Sequence, residues 1–280
     1  MNCFGCLMQH YPSTEIVVEH IVEQFAMLPQ VTAIALAGSH TATTPDEKSD
    51  IDLYIYSLEQ IPVPNRSEIA HNFCDQPQVD NRFWEDGDEW VINGTQLAVD
   101  ITYRSPQWIE EQLDRLLVHH QVSVGCSTCF WFNVRTSKIL FDRDGWFTDL
   151  QSKANQPYSD ALQRLVIAKN YPVLRTLVDS AYVHQLESAV TRNDLVYIQN
   201  RIAAILTSYF DILFAVNREL NPGEKRLVNY AQQLPQAPVQ FAEDIHALIV
   251  SVCLPQQILP AAHRLLDGLD ELLNREGFKM

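Results

Sequence analysis

Two short apolar runs separated by a polar loop set out the first part of the chain. Residues 31–37 read VTAIALA and residues 51–56 read IDLYIY, while the segment between them, from Gly38-Ser39 to Asp50, is polar. Runs of this length rich in Ile, Val and Tyr predict strands. Upstream, Ile16, Val17, Ile21, Phe25 and Leu28 recur at helical spacing between a Ser13-Thr14 start behind Pro12 and a stop at Pro29. That predicts a helix over 13–28 that packs on the sheet. Residues 61–79, with Pro62, Pro64 and Pro77, read as a loop holding at most a short helix over 67–74. Asn93-Gly94 between the runs 90–92 and 96–103 signals a hairpin with a type I′ turn. Ser105-Pro106 opens a helix to Leu117 that buries Trp108, Ile109, Leu113 and Leu116. Residues 138–142 read as a short strand, followed by a turn to Gly145.

From Tyr158 onward the periodicity is helical. It predicts segments over 159–170, 172–191, 193–218, 223–233, 238–253 and 255–276, punctuated by prolines 172, 222, 235, 238, 255 and 260. The expected architecture is α+β. A small mixed β-sheet domain flanked by helices, residues 1–150, precedes an all-α helical bundle, residues 151–280. No internal repeat is evident.

Composition narrows the partners. The 280 residues carry 35 acids against 20 bases, a formal net charge of -15. Such a surface repels a phosphate backbone, so long nucleic acid is not an expected partner. It attracts cationic small molecules instead. No run of about 18 apolar residues occurs, so no transmembrane helix or membrane partner is expected. The start MNCFGCLMQHYPS has no charged region followed by an apolar one, so the expected location is cytoplasmic. Of the six cysteines, Cys3/Cys6 and Cys126/Cys129 form C-x-x-C pairs, a spacing that four-thiolate zinc sites use. The first pair is terminal and the second lies in an apolar run where cysteine packs as a small hydrophobe, so free thiols are expected.

The chemistry concentrates around the first two strands. Asp50 and Asp52 are two apart at the start of the second run. Residues i and i+2 of a strand share a face, so both carboxylates project together while Ile51, Leu53 and Ile55 face the other way. Ionising two adjacent carboxylates without a cation is costly, and a divalent ion removes that cost. Magnesium fits, since it takes one or two carboxylates and completes its shell with water and phosphate oxygens. Gly38 permits close approach of backbone to phosphate, and Ser39 supplies a hydroxyl donor. Asp100, alone among apolar residues in a later strand, is a third carboxylate candidate. Glu85, Asp86, Asp88 and Glu89 precede the hairpin; such clusters are mostly solvated, and one of them lining an acceptor pocket is the functional alternative.

Gly-Ser, ten residues, then Asp-x-Asp between two strands resembles the signature of the polymerase-beta-like nucleotidyltransferase superfamily. With a helical domain following, the chain resembles the two-domain antibiotic (aminoglycoside and lincosamide) nucleotidyltransferases, and most closely uncharacterised bacterial members with a helical-domain motif like SYFDILFAVNRELNPGEKRL, residues 208–227. The resemblance covers the signature and Asp100 but not the acceptor site. It implies transfer of a nucleoside monophosphate from a nucleoside triphosphate, expected to be ATP, to a hydroxyl of a small molecule, with release of pyrophosphate. Asp50, Asp52 and Asp100 would be the catalytic, magnesium-binding residues, with Asp100 either completing a metal shell or acting as base. Gly38 and Ser39 would hold the outer phosphates. A cation from the helical domain would be needed as well, with Lys169, Lys225 and Arg226 as candidates; glycine followed by two bases at a helix start holds anions. Antibiotic modification, a homodimer, a protein acceptor as in adenylylating or toxin-neutralising enzymes, and a non-enzymatic nucleotide-binding role all remain open.

Overall fold

The computed structural model describes residues 13–38 and 50–278. Ser39, Cys3 and Cys6 lie outside them. The chain divides into two compact units. One contains the chain up to Gln112 together with Asn133–Asn155; the other contains Leu113–Phe132 and the chain from Gln156 onward.

The first unit is built on a six-stranded mixed sheet. Its strands are β1 (Val31–Leu36), β2 (Ile51–Ser57), β3 (Gln78–Asn81), β4 (Gly87–Val91), β5 (Ala98–Arg104) and β6 (Lys138–Asp142). Their spatial order is β3-β4-β5-β2-β1-β6. Only β2 and β5 pair in parallel, with Asp52 opposite Asp100; the other pairings are antiparallel. One face buries Ile34, Ile51, Leu53, Ile55, Val99 and Ile101 together with Val17, Val18, Ile21 and Phe25 of α1 (Thr14–Ala26) and Ile69 and Ala70 of α2 (Val63–His71). Alternation in β2 therefore does what its sequence predicts: Ile51, Leu53 and Ile55 are sealed while Asp52 and Tyr54 turn to the opposite face. Beyond Gly145, α5 (Trp146–Ala154) covers part of that second face, where Tyr56 packs on Trp146 and Phe147 at ring-centroid separations of 5.2 and 5.0 Å. The alanines Ala33 and Ala35 stand opposite Tyr56 and Tyr54 and leave room for both rings.

The second unit is helical. After α3 (Pro106–Leu117) and α4 (Cys129–Thr136), which run across the division of the chain, come α6 (Asp160–Leu174), α7 (Tyr182–Thr191), α8 (Leu195–Val216), α9 (Leu227–Ala231), α10 (Phe241–Val250) and α11 (Pro255–Arg275). Ser159 caps α6 by accepting from the Leu162 amide, and Asp194 caps α8 by accepting from the Tyr197 amide. Tyr209, Phe210 and Phe214 of α8 are core residues, each under 4% exposed.

Several elements differ from the sequence-based expectation. Residues 78–81 form an edge strand, although the sequence predicts 78 and 79 as the end of a loop; it pairs to β4 with Asp80 at a left-handed φ of 63° and its amide donating to Asp88. The Asn93-Gly94 turn is closed by the Thr95 amide donating to the Ile92 carbonyl at 3.0 Å, but only Gly94 has positive φ, so it is not type I′, which needs positive φ at both central residues. Pro172 does not begin a helix; it sits in the last turn of α6, where few carbonyls are left to lose a partner, and α7 starts ten residues later. Residues 223–226 stay outside α9, and Arg226 takes a left-handed φ of 58° just before it. Residues 129–136 and 146–154 form helices that the periodicity left unassigned.

Candidate active site

The second face of the sheet carries the chemistry. Asp52 on β2 and Asp100 on β5 are directly opposite in the parallel register, so the two residues are lateral neighbours on this face, about one strand spacing, ~4.8 Å, apart at the backbone. Asp100 in turn stands opposite Glu89 of β4. Three carboxylate residues thus form a row across β2, β5 and β4, with Asp100 and Glu89 exposed and Asp52 half-buried. Asp50 lies just ahead of β2 and is exposed.

Gly38 closes one end of this row. The Ala37 amide donates to the Asp52 carbonyl at 2.9 Å, holding the end of β1 against β2. Gly38 then turns with φ of 66°, and a Cβ built there would stand 2.7 Å from Asp52 Cγ. Only glycine combines that φ with that proximity. Gly38 and Asp52, fourteen positions apart in the sequence, therefore meet at the Asp52 carboxylate.

This donor set fits a hard divalent cation that keeps much of its water. Carboxylate residues on adjacent strands are the kind of donors magnesium takes one or two of, its remaining ligands coming from water and phosphate oxygens. Among the described residues no three Asp, Glu, His or Cys side chains converge tightly enough to enclose an ion by themselves.

The same face carries one cation along β5. Arg104 is buried, gives two hydrogen bonds of 2.8 Å to Glu85, and lies 4.1 Å over the Tyr54 ring. Burial opposes its charge, but Glu85 and the neighbouring tyrosines hold it protonated well above the ordinary arginine value. Burial pushes the Tyr54 and Tyr56 hydroxyls above the usual tyrosine range. Arg104 braces the floor of the site. Sequence reading passed over it, although an arginine at the end of a strand that also holds Asp100 was a visible signal.

The acidic cluster before the hairpin divides by role. Glu85 braces Arg104, and Asp86 lies 3.5 Å from Arg82. Asp88 points into the core, 1% exposed, accepts from the Tyr103 hydroxyl at 2.6 Å and pairs with buried Arg66 at 3.2 Å. Burial dominates there and raises its pKa despite those partners. Glu89 alone of the four sits in the carboxylate row.

In the second unit, Lys169 is exposed on α6, and Lys225 and Arg226 are exposed ahead of α9. Because α9 has only five residues, its start offers little of the aligned dipole that an anion site at 223–226 would use. The 208–227 motif is occupied with structure. Asp211, 2% exposed, accepts from the Ser127 amide and hydroxyl, from Asn170 and from Asn221. Asn217 bonds the carbonyls of Leu213 and Gln236, and Arg218 pairs with Asp160 at 2.7 Å.

Among the described residues, a cleft of about 740 Å³ is lined by α1 residues such as His20 and Glu23 with Asn72 and Phe73, which follow α2, and another of about 650 Å³ by α6 residues with Arg218 and Phe278; neither lining includes Asp52, Asp100 or Glu89. No helix of the described residues is long and apolar enough to cross a membrane.

No protein-family model matches the chain, and no curated protein matches it. Among solved structures, a nucleotidyltransferase-like protein from Exiguobacterium sibiricum is similar at 14% identity and a TM-score of 0.44, over 94% of this chain and 75% of that one. At that identity and score the likeness fixes neither activity nor substrate.

Proposed function

We propose that the protein is a magnesium-dependent nucleotidyltransferase that moves a nucleoside monophosphate from a nucleoside triphosphate, ATP foremost, to a hydroxyl of a small molecule. The observation that carries this reading is the lateral register of Asp52 and Asp100 on the face away from the core, with Gly38 packed against Asp52.

In this reading Asp50, Asp52 and Asp100 hold the cation, and Gly38 and Ser39 receive the outer phosphates through backbone and hydroxyl donors. Bound magnesium would supply charge neutralisation on the triphosphate and on the departing pyrophosphate. The acceptor oxygen bonds to the α-phosphorus as the bond to the bridging α,β oxygen breaks, and pyrophosphate leaves. The acceptor proton passes to a carboxylate in the row. Glu89, beside Asp100 and exposed, is placed to take it if Asp100 is committed to the cation. Lys169, Lys225 and Arg226 remain the proposed cations for the triphosphate. The net charge of -15 favours a cationic acceptor, and aminoglycosides are one such class. A cytoplasmic location and a homodimer belong to the same proposal.

The test is magnesium-dependent pyrophosphate release from each of the four nucleoside triphosphates, with pooled aminoglycosides and lincosamides as acceptors, for the wild type and Asp52→Asn. Release that requires metal, acceptor and Asp52 is expected. Magnesium-dependent nucleotide binding without release redirects the search to protein or metabolite acceptors. Neither binding nor release refutes the proposal.

A further inference from the structure

Cys126 and Cys129 do not occupy the setting their sequence suggested. Neither is sealed in an apolar run; both are half-exposed and free. Cys129 is the first residue of α4 and Cys126 lies one turn ahead of it, with a left-handed φ of 43°. The two thiols are close enough for each to perturb the other's ionisation.

The loop that presents them is fastened by buried side chains of the second unit. The Gly125 amide donates to Asn170 Oδ1 at 2.7 Å. The Ser127 amide and hydroxyl both donate to Asp211, at 3.0 and 2.6 Å. Thr128 Oγ1 accepts from the Asn221 amide at 2.7 Å. Asn170, Asp211 and Asn221 are each at most 2% exposed. The backbone on both sides of Cys126 is therefore held in place by groups that solvent does not reach.

We infer that Cys126 and Cys129 form a dithiol site that exchanges with low-molecular-weight disulfides, with Cys126 as the attacking thiol and Cys129 as the resolving one. Hydrogen bonding from Cys129 lowers the Cys126 thiol below the usual cysteine range and raises that of Cys129; this outweighs burial and the nearby carboxylates Asp211 and Glu224, which act the other way on Cys126. The thiolate is the nucleophile in such exchange, which makes Cys126 the proposed attacking thiol, an order that the two single variants below test.

Both steps balance. The Cys126 thiolate attacks one sulfur of a small disulfide, its S–S bond breaks, and one small thiolate leaves and takes a proton from water. Cys129 then loses its proton to water, attacks the Cys126 sulfur of the mixed disulfide, and expels the second small thiol. The protein dithiol is oxidised to a disulfide as the small disulfide is reduced to two thiols.

The experiment uses the full chain in buffers of reduced and oxidised glutathione, quenched with acid, alkylated and mapped by mass spectrometry. Cleavage after Arg115 and Arg135 releases a peptide whose only cysteines are Cys126 and Cys129, which separates them from Cys3, Cys6, Cys74 and Cys253. With oxidised glutathione in excess, this peptide is expected to lose both alkylation sites and two hydrogens, reversibly on reduction. Cys129→Ser is expected to accumulate a single glutathione adduct on Cys126. Cys126→Ser should accumulate less on Cys129. If the wild-type peptide stays doubly alkylated in buffers that already glutathionylate exposed Cys253, the inference is wrong. A reversed preference between the two variants overturns the assigned order.

Discussion

Replacing Asp211 by alanine should unfasten the 123–128 loop, and the cost follows from its hydrogen-bond inventory. Four donor groups point at this carboxylate: the Ser127 amide, the Ser127 hydroxyl, Asn170 Nδ2 and Asn221 Nδ2. Two of them keep other acceptors after the change. Asn170 Nδ2 still bonds the Val166 and Ser123 carbonyls, and the Ser127 hydroxyl still reaches Ser123 O at 3.1 Å. The Ser127 amide and one Asn221 Nδ2 hydrogen are left without partners. An orphaned buried donor costs about 1–3 kcal/mol, so the loss is about 2–6 kcal/mol, a large part of a typical domain's stability. Urea denaturation followed by fluorescence measures the total. Hydrogen exchange at the Ser127 amide measures the local share, and its protection should fall by about thirtyfold or more. Asp211→Asn should cost less, because its carbonyl can still accept from Ser127. The pH dependence gives an independent check. Burial raises the folded pKa of Asp211 above the ordinary aspartate value, so its contribution is full below that ordinary value and declines as pH rises through the folded one. The stability difference between the wild type and Asp211→Asn should therefore shrink on going from acid to neutral pH. A loss below about 1 kcal/mol for Asp211→Ala, with Ser127 exchange unchanged, would refute the assignment of this carboxylate as the loop's anchor.

Other outcomes follow from the first unit. Gly38→Ala should cost about 1–2 kcal/mol for the left-handed backbone and, by displacing the Asp52 carboxylate, abolish magnesium-dependent pyrophosphate release; retained release with unaltered circular dichroism would separate Gly38 from the site. Arg66→Ala leaves Asp88 buried without its cation and should destabilise by about 3–5 kcal/mol in thermal or urea unfolding, with a smaller loss for Arg66→Met at low pH. Because the folded pKa of Asp88 is already raised by burial, the Arg66→Ala protein should lose stability more steeply than the wild type as pH rises above the ordinary aspartate range. Glu89→Gln should lower turnover by about 10²–10⁴ with nucleotide and magnesium affinity preserved if Glu89 takes the acceptor proton; an equal loss of binding would instead make it part of the cation site.

The local chemistry of this chain is legible one strand at a time, and the partnerships between strands are not. Period-two alternation in IDLYIY is enough to say that Asp52 opposes Ile51, Leu53 and Ile55, and the sealed aliphatics bear that out. Proline and cap residues placed α1, α3, α8 and α11 to within a few residues, because those signals act over one or two turns. That Asp100 stands beside Asp52 depends on β5 inserting parallel to β2 between it and β4, and register across a sheet is set by packing of whole faces, not by either strand's own pattern. The same holds for Glu89, which lies four residues from Glu85 in sequence yet belongs to the carboxylate row while Glu85 braces Arg104 and Asp88 turns inward. In the second unit the sequence marked 208–227 as a motif, but its meaning came from residues far away in the chain. Asp211 is a buried charge-bearing group that only Ser127, Asn170 and Asn221 together can satisfy, and no local pattern announces a hydrogen-bond set drawn from four separate segments. Cys126 and Cys129 make the same point: their spacing was visible, while their exposure and their rigid loop were decided by that buried cluster.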